Sequence, residues 1–151
     1  GQVWADDMLK SAEELSDAGE FKKAVGLLKK VIKEDPSNME AWLLLGNSYM
    51  VLGKHKDAIK AYETVIGVDP ENQAALLGLG RTYSMMRRHL SAIEVYKKVV
   101  EINPKHAEAH FDLGASYDRM SRLTYAFEQY RILKTLDEEL ADKLYHMILG
   151  D

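Results

Sequence analysis

Three Asp/Asn-Pro pairs recur at one fixed step: Asp35-Pro36, Asp69-Pro70 and Asn103-Pro104 each lie 34 residues from the next. Other columns keep the same interval. Gly46, Gly80 and Gly114 form one, Tyr49, Tyr83 and Tyr117 a second, and Tyr62, Tyr96 and Tyr130 a third. Ala24, Ala58, Ala92 and Ala126 carry the series into a fourth unit. A fixed period of this length is the sequence mark of an array of helical hairpins, in which one unit cannot bury its own apolar face and stacking does it instead.

The unit from Met39 to Asn72 shows how the period becomes structure. Trp42, Leu45, Gly46 and Tyr49 are spaced i, i+3, i+4, i+7 and share one helical face. Gly53 supplies a turn, since glycine accepts positive φ at low steric cost. Ala58, Tyr62 and Val65 make a second stripe, and Asp69-Pro70 ends it because the residue before proline is driven out of the α region. Two antiparallel helices of roughly 14 residues follow, each about 21 Å long. The next units repeat the plan with Leu76, Leu79, Gly80, Tyr83, Ala92, Tyr96 and Val99, then with His110, Leu113, Gly114, Tyr117, Ala126, Tyr130 and Leu133. The missing Cβ of each column glycine is expected to make room for a tyrosine-sized side chain of the partner helix.

These residues resemble the tetratricopeptide repeat family, whose pattern is a large apolar residue, Leu-Gly, Tyr, Ala, Tyr or Phe, and a closing Pro. The resemblance covers residues 5–140 as units 5–38, 39–72, 73–106 and 107–140. It implies an all-α fold, a right-handed superhelical α-solenoid of antiparallel helix pairs forming a single domain over 1–151. The first unit departs from the pattern, with Met8, Ser11, Ala12 and Leu15 in the core columns. The fourth has Glu138 where the proline should be, so its second helix either runs on or turns differently. Leu144, Met147 and Ile148 then predict a capping helix over 141–149.

Composition narrows the function classes. Net charge is −4, which provides no footprint for a phosphate backbone, and six of the eight tyrosines belong to the packing columns rather than to a stacking platform. Nucleic acid is therefore not an expected partner. No apolar run of about 18 residues suggests direct membrane insertion. Zero cysteines exclude disulfides and thiol chemistry. The polar, acidic opening Gln2-Val3-Trp4-Ala5-Asp6-Asp7 does not read as a secretory signal, and a start at Gly1 reads as a fragment of something longer. A cytoplasmic setting is expected, either outright or for the soluble part of a longer or membrane-tethered protein.

Sites for chemistry are few. His106 and His110, with Glu108 between them, have i, i+4 spacing that could ligate a metal, but His110 stands in the column of Trp42 and Leu76 and reads as a packed core residue. Gly78-Leu79-Gly80 lies mid-helix with no preceding strand, so it is no dinucleotide fingerprint. Lys22-Lys23, Lys29-Lys30, Arg87-Arg88 and Lys97-Lys98 read as solvated faces. No nucleophile, base and carboxylate are arranged for catalysis, and no cofactor or metal is implied.

About 100° from the core stripe of each first helix runs a second stripe, which the family resemblance implies lines a concave groove for a partner segment. Its apolar column is Leu9, Leu43, Leu77 and Phe111, flanked by Met50 and Met85, with methionine suited to surfaces that re-pack. Two readings of that column stand: an exposed apolar floor, or leucines packed on the neighbouring unit. Asn47 and Arg81 are the expected polar anchors, for a peptide backbone and a carboxylate respectively. Glu13 belongs to an acidic first helix, with Asp6, Asp7, Glu14 and Asp17 against Lys10 alone, so basic ligand residues are favoured there. Two polar anchors on a leucine-rich floor do not rebuild the Lys and Asn clamp of chaperone-tail receptors in this family. The expectation is a non-catalytic scaffold that binds an amphipathic peptide or helix carrying basic residues. A self-association module, building homo-oligomers through the groove or the edge at Val3, Trp4 and Met8, is the alternative. A Leu77→Glu, Arg81→Ala double variant is expected to lose the partner while keeping its helicity.

Overall fold

The computed structural model describes residues 2–151, with side chains from residue 3 onward. Among the described residues there are nine α-helices and no strand: α1 Gln2–Asp17, α2 Phe21–Glu34, α3 Met39–Val51, α4 His55–Val68, α5 Gln73–Met85, α6 His89–Ile102, α7 Ala107–Arg119, α8 Leu123–Leu136 and α9 Glu138–Leu149. No described helix is long and apolar enough to cross a membrane. The chain divides into two compact units, the first ending at Gly78 and the second beginning at Leu79.

The Asp/Asn-Pro echo has a local cause. The side-chain Oδ1 atoms of Asp35, Asp69 and Asn103 accept the N–H groups of Ser37, Glu71 and Lys105, at 3.1, 3.2 and 3.2 Å. Each is an Asx turn that the proline's fixed φ reinforces. One residue later the next helix is capped. Asn38 and Asn72 accept from Ala41 N and Ala75 N through Oδ1 at 3.0 and 2.9 Å, and His106 accepts from Ala109 N through Nδ1 at 3.2 Å. A lost cap of this kind costs about 1 kcal/mol.

The turns inside the hairpins form another 34-residue column. Gly19 and Gly53 hold φ of +78° and +74°, whereas Arg87 and Ser121 adopt +63° and +57° without being glycine. That region is open to glycine and strained for other residues.

In unit 1, α1 packs on α2 and α3, and α3 on α4. The buried face of α1 is Ala5, Leu9 and Ala12, with Met8 and Leu15 partly buried; of the expected Met8, Ser11, Ala12 and Leu15 stripe, Ser11 is the member left exposed. Tyr62 is fully buried against bare backbone, since a Cβ on Gly46 would come 2.8 Å from its ring and one on Gly78 would overlap it. In unit 2 a Cβ on Gly80 would overlap the ring of Tyr96 in the same way.

The last hairpin breaks that rule. The hole beside Gly114 is filled by Leu144 of α9, whose Cδ2 would lie 2.6 Å from an added Cβ, and not by Tyr130. Leu133, Ala141 and Leu144 form a buried cluster flanked by Phe111, Tyr130, Leu140 and Ile148. Tyr130 instead tilts against Tyr145, ring centroids 5.1 Å apart. The terminal helix also begins at Glu138, three residues before the expected 141. Asp137 accounts for this: it ends α8 and caps α9, its Oδ1 accepting Leu140 N at 3.1 Å, so an acid does the work of the absent proline.

Candidate functional site: two clefts and their polar partners

A cleft of about 420 Å³ opens in unit 1. Glu13, Ser16 and Asp17 of α1, Phe21 of α2, and Leu44, Asn47, Ser48, Met50 and Val51 of α3 line it. The i, i+3, i+4, i+7 spacing of Leu44, Asn47, Ser48 and Val51 turns one face of α3 toward it. Glu13 and Asp17 are one turn apart, exposed, and in no ion pair among the described residues. The hydroxyl of Tyr62 donates to Asn47 Oδ1 at 2.6 Å and lies 4.0 Å from Met50 Sδ. Asn47 therefore offers a ligand its amide N–H groups, while its carbonyl is already engaged.

A second cleft, about 500 Å³, lies in unit 2 among Arg81, Glu108, Phe111, Asp112, Asp137, Glu139, Leu140 and Lys143. Arg81 donates from Nε to Asp112 Oδ2 at 2.7 Å and from Nη2 to Glu108 Oε2 at 2.9 Å. Burial pushes the Asp112 carboxyl above the usual carboxylate range, outweighing the pull of the Arg81 charge beside it. Burial also opposes the Arg81 charge, but Asp112 and Glu108 together outweigh it and raise the guanidinium further. The two shifts point opposite ways for the charged pair. Asp112 is the more buried partner, its side chain 17% exposed against 38% for Arg81, and its charge is kept at a desolvation penalty. Lys143 Nζ stands 5.3 Å over the Phe111 ring, a cation–π contact inside the chain.

These contacts revise the expected site. Glu13, Asn47 and Met50 do line one cleft, and Arg81 with Phe111 lines the other. Leu9 and Leu77 are buried, 5% and 7% exposed, and Leu43 and Phe111 are half-buried. A continuous exposed leucine floor is thus excluded: Leu9 belongs to the buried face of α1, and Phe111 packs against the cluster of Leu133, Ala141 and Leu144. Met85, 51% exposed at the end of α5, lines neither cleft. Arg81 is not an anchor awaiting a foreign carboxylate, because Asp112 and Glu108 already hold it. The Leu77→Glu, Arg81→Ala variant would bury one carboxylate and strand another, so it could not keep the fold intact.

His110 has both ring nitrogens engaged, with Nε2 2.7 Å from the Pro104 carbonyl and Nδ1 2.7 Å from Gln129 Oε1. The carbonyl can only accept, so Nε2 carries a proton. A neutral ring then accepts at Nδ1 from a Gln129 amide turned to present its NH2 group. Both His110 nitrogens thus have protein partners, and His106 Nδ1 is spent on its cap.

The sequence reading missed the capping column Asn38, Asn72 and His106, although its 34-residue step was present. It also missed Glu108 and Asp112, one turn apart on α7, as the holders of Arg81.

Three family models match: a tetratricopeptide repeat model at residues 43–105, another at 15–66, and a TPR repeat model at 91–121. Together they span residues 15–121, more than half of the chain. No curated protein matches the sequence. Among solved structures, a crystal structure of MamA is 26% identical over 92% of this chain and 92% of its own, with a TM-score of 0.77. TTC0263, a thermophilic TPR protein of Thermus thermophilus, is 21% identical over 95% of this chain and 82% of its own, at 0.82. The 41-end form of MamA from Desulfovibrio magneticus RS-1 is 23% identical over 89% and 76%, also at 0.82. With 239 solved chains matching, the likeness speaks for the fold and names no partner. The chain belongs to the tetratricopeptide repeat family, an all-α family of protein-interaction scaffolds.

Proposed function

We propose that this chain is a non-catalytic docking module, one tetratricopeptide domain over 1–151, whose unit 1 cleft receives an amphipathic segment of a partner protein bearing basic residues. The observation that carries the reading is the joint lining of that cleft. Glu13 and Asp17 supply uncompensated carboxylates, Asn47 supplies amide donors, and Met50 and Val51 supply an adaptable apolar wall. Acid on one side and grease on the other match a helix with lysines beside its apolar stripe. The ligand-facing set is thereby reduced to Glu13, Asp17, Asn47, Met50 and Val51. Arg81 and Phe111 serve a separate cleft, and Leu9 and Leu77 serve the core.

The test uses a fluorescein-labelled helical peptide of about 14 residues, with leucines at i, i+3, i+4, i+7 and lysines elsewhere. A Glu13→Lys, Asp17→Lys variant should bind it at least about tenfold more weakly, with unchanged helicity and a smaller salt dependence. Undiminished binding by that variant would reject the reading.

Self-association is the second reading, favoured by the exposure of Val3 and Trp4 on α1. Light scattering across a concentration series separates the two: a monomer throughout counts against self-association.

A further inference from the structure

The charge of the chain is unevenly divided. Residues 1–78 hold nine basic and 13 acidic side chains, which account for the whole net charge of −4, while residues 79–151 hold 11 of each. All six arginines fall in the second stretch, and every cation of the first is a lysine. Arginine's planar fork is the better match for a carboxylate, so this partition bears on recognition.

Three cations stand at two neighbouring hairpin turns of unit 2, with a fourth nearby on α6. Arg87 and Arg88 join α5 to α6, Arg122 joins α7 to α8, and Lys97 lies farther along α6. All four are exposed and form no ion pair among the described residues. Leu90 and Tyr125 lie among them, 56% and 52% exposed, and Tyr125 is held by stacking on Tyr117 at 5.2 Å between centroids. Two shallow clefts share Leu90. One, about 350 Å³, is lined by Arg87, Arg88 and Met120 among others; the second, about 320 Å³, by Lys97, Arg122 and Tyr125. Glu94 is the one carboxylate lining either of them.

A second observation is independent of charge. Gly19 and Gly53 fill the positive-φ position of the first two hairpin turns, yet Arg87 and Ser121 occupy it in these two. A side chain there is disfavoured by about 1–2 kcal/mol, and strain of that kind concentrates at functional positions.

We propose that this turn edge of unit 2 is a docking surface for an acidic, amphipathic segment of a partner protein. Its carboxylates pair with Arg87, Arg88 and Arg122, and its apolar side chains enter the clefts beside Leu90 and Tyr125. The relief argues for a polypeptide over a lipid surface: the apolar side chains border hollows that can take a few side chains, where bilayer insertion calls for apolar tips standing proud of the surface. The surface shares no residue with the unit 1 cleft and does not depend on its role.

The experiment uses the full chain and the leucine-patterned helical peptide of about 14 residues, with glutamate in place of lysine, beside vesicles of phosphatidylserine and phosphatidylcholine. The glutamate peptide should bind, and lose about tenfold or more in affinity for Arg87→Glu, Arg122→Glu and for Leu90→Ser, Tyr125→Ser, with helicity and lysine-peptide binding unchanged. Arg87→Gly should melt higher yet bind the glutamate peptide more weakly, a divergence that a purely structural Arg87 would not produce. No binding of the glutamate peptide, full binding by the arginine reversal, or capture by vesicles through these same residues would overturn the proposal.

Discussion

The indole N–H of Trp42 donates to the carbonyl of Pro36 at 2.8 Å, and 68 residues on His110 Nε2 reaches the Pro104 carbonyl at 2.7 Å. Two chemically unlike rings in one repeat column thus do the same thing. Each ties the start of its helix back to the proline turn before it. The intervening unit has Leu76 in that column, which can pack but cannot donate.

The two ties differ in burial, and so in the expected penalty. Trp42→Phe should lower stability by about 0.5–1 kcal/mol, since this carbonyl is exposed enough to find water. His110→Leu leaves both the Pro104 carbonyl and the buried Gln129 amide without a partner, and should cost about 2–3 kcal/mol. Urea unfolding of the two variants checks the order, which reverses if His110 serves only as bulk.

Glycines in the helices fall into two classes. Gly80 lies against the Tyr96 ring, while Gly26 and Gly67 meet nothing within 4 Å. Gly80→Ala should cost about 1–3 kcal/mol by overpacking, and Gly80→Leu no less. Gly26→Ala and Gly67→Ala should each gain about 0.5–1 kcal/mol, because alanine restricts the unfolded chain and favours helix. Melting temperatures that move together for all three alanine variants would contradict the assignment.

Relief of backbone strain gives a third expectation. Arg87→Gly and Ser121→Gly, at φ of +63° and +57°, should each stabilise by about 0.5–1 kcal/mol, net of glycine's entropic penalty. Gly53→Ala should lose about 1 kcal/mol in the mirror experiment. Chemical denaturation midpoints report both.

Tyr96 sets an alkaline limit. Burial pushes its hydroxyl well above the ordinary tyrosine range, and the hydroxyl is 3.2 Å from Ser84 Oγ. A folded-state pKa above the unfolded value of about 10 means its stabilising effect is complete below about pH 10 and is lost as pH rises beyond that. Tyr96→Phe should cost about 0.5–1.5 kcal/mol at neutral pH and lose less than the parent as pH rises above about 10. Equal alkaline losses in the two proteins would refute the cause.

The hairpins were legible where periodicity and turn chemistry agree. Trp42, Gly46, Tyr62 and Asp69-Pro70 define α3 and α4 within about one residue, because packing face and stop signal both lie within the segment. The face of α1 was only partly legible. Its expected Met8, Ser11, Ala12 and Leu15 stripe does contain the buried Ala12, but the packing of α1 on α2 and α3 centres the buried face on Ala5, Leu9 and Ala12 and leaves Ser11 exposed. The same holds for the candidate site. Arg81 reads as a free anchor until Glu108 and Asp112, 27 and 31 residues later, close on it. The occupant of the Gly114 hole lies outside the repeat period altogether, so no column could point to Leu144.

Asp137 closes α8 and opens α9 in a single residue, which seats Leu144 beside Gly114 and brings Leu140 and Ile148, with Phe111 and Tyr130, around the buried Leu133, Ala141 and Leu144 cluster. The twelve residues of α9 therefore act as a stopper. A chain cut after Leu136 would present a raw greasy end and would need another hairpin, another molecule or a chaperone to quench it. An acid that halts one helix and starts a short one thus shields the apolar side of the α7–α8 pair.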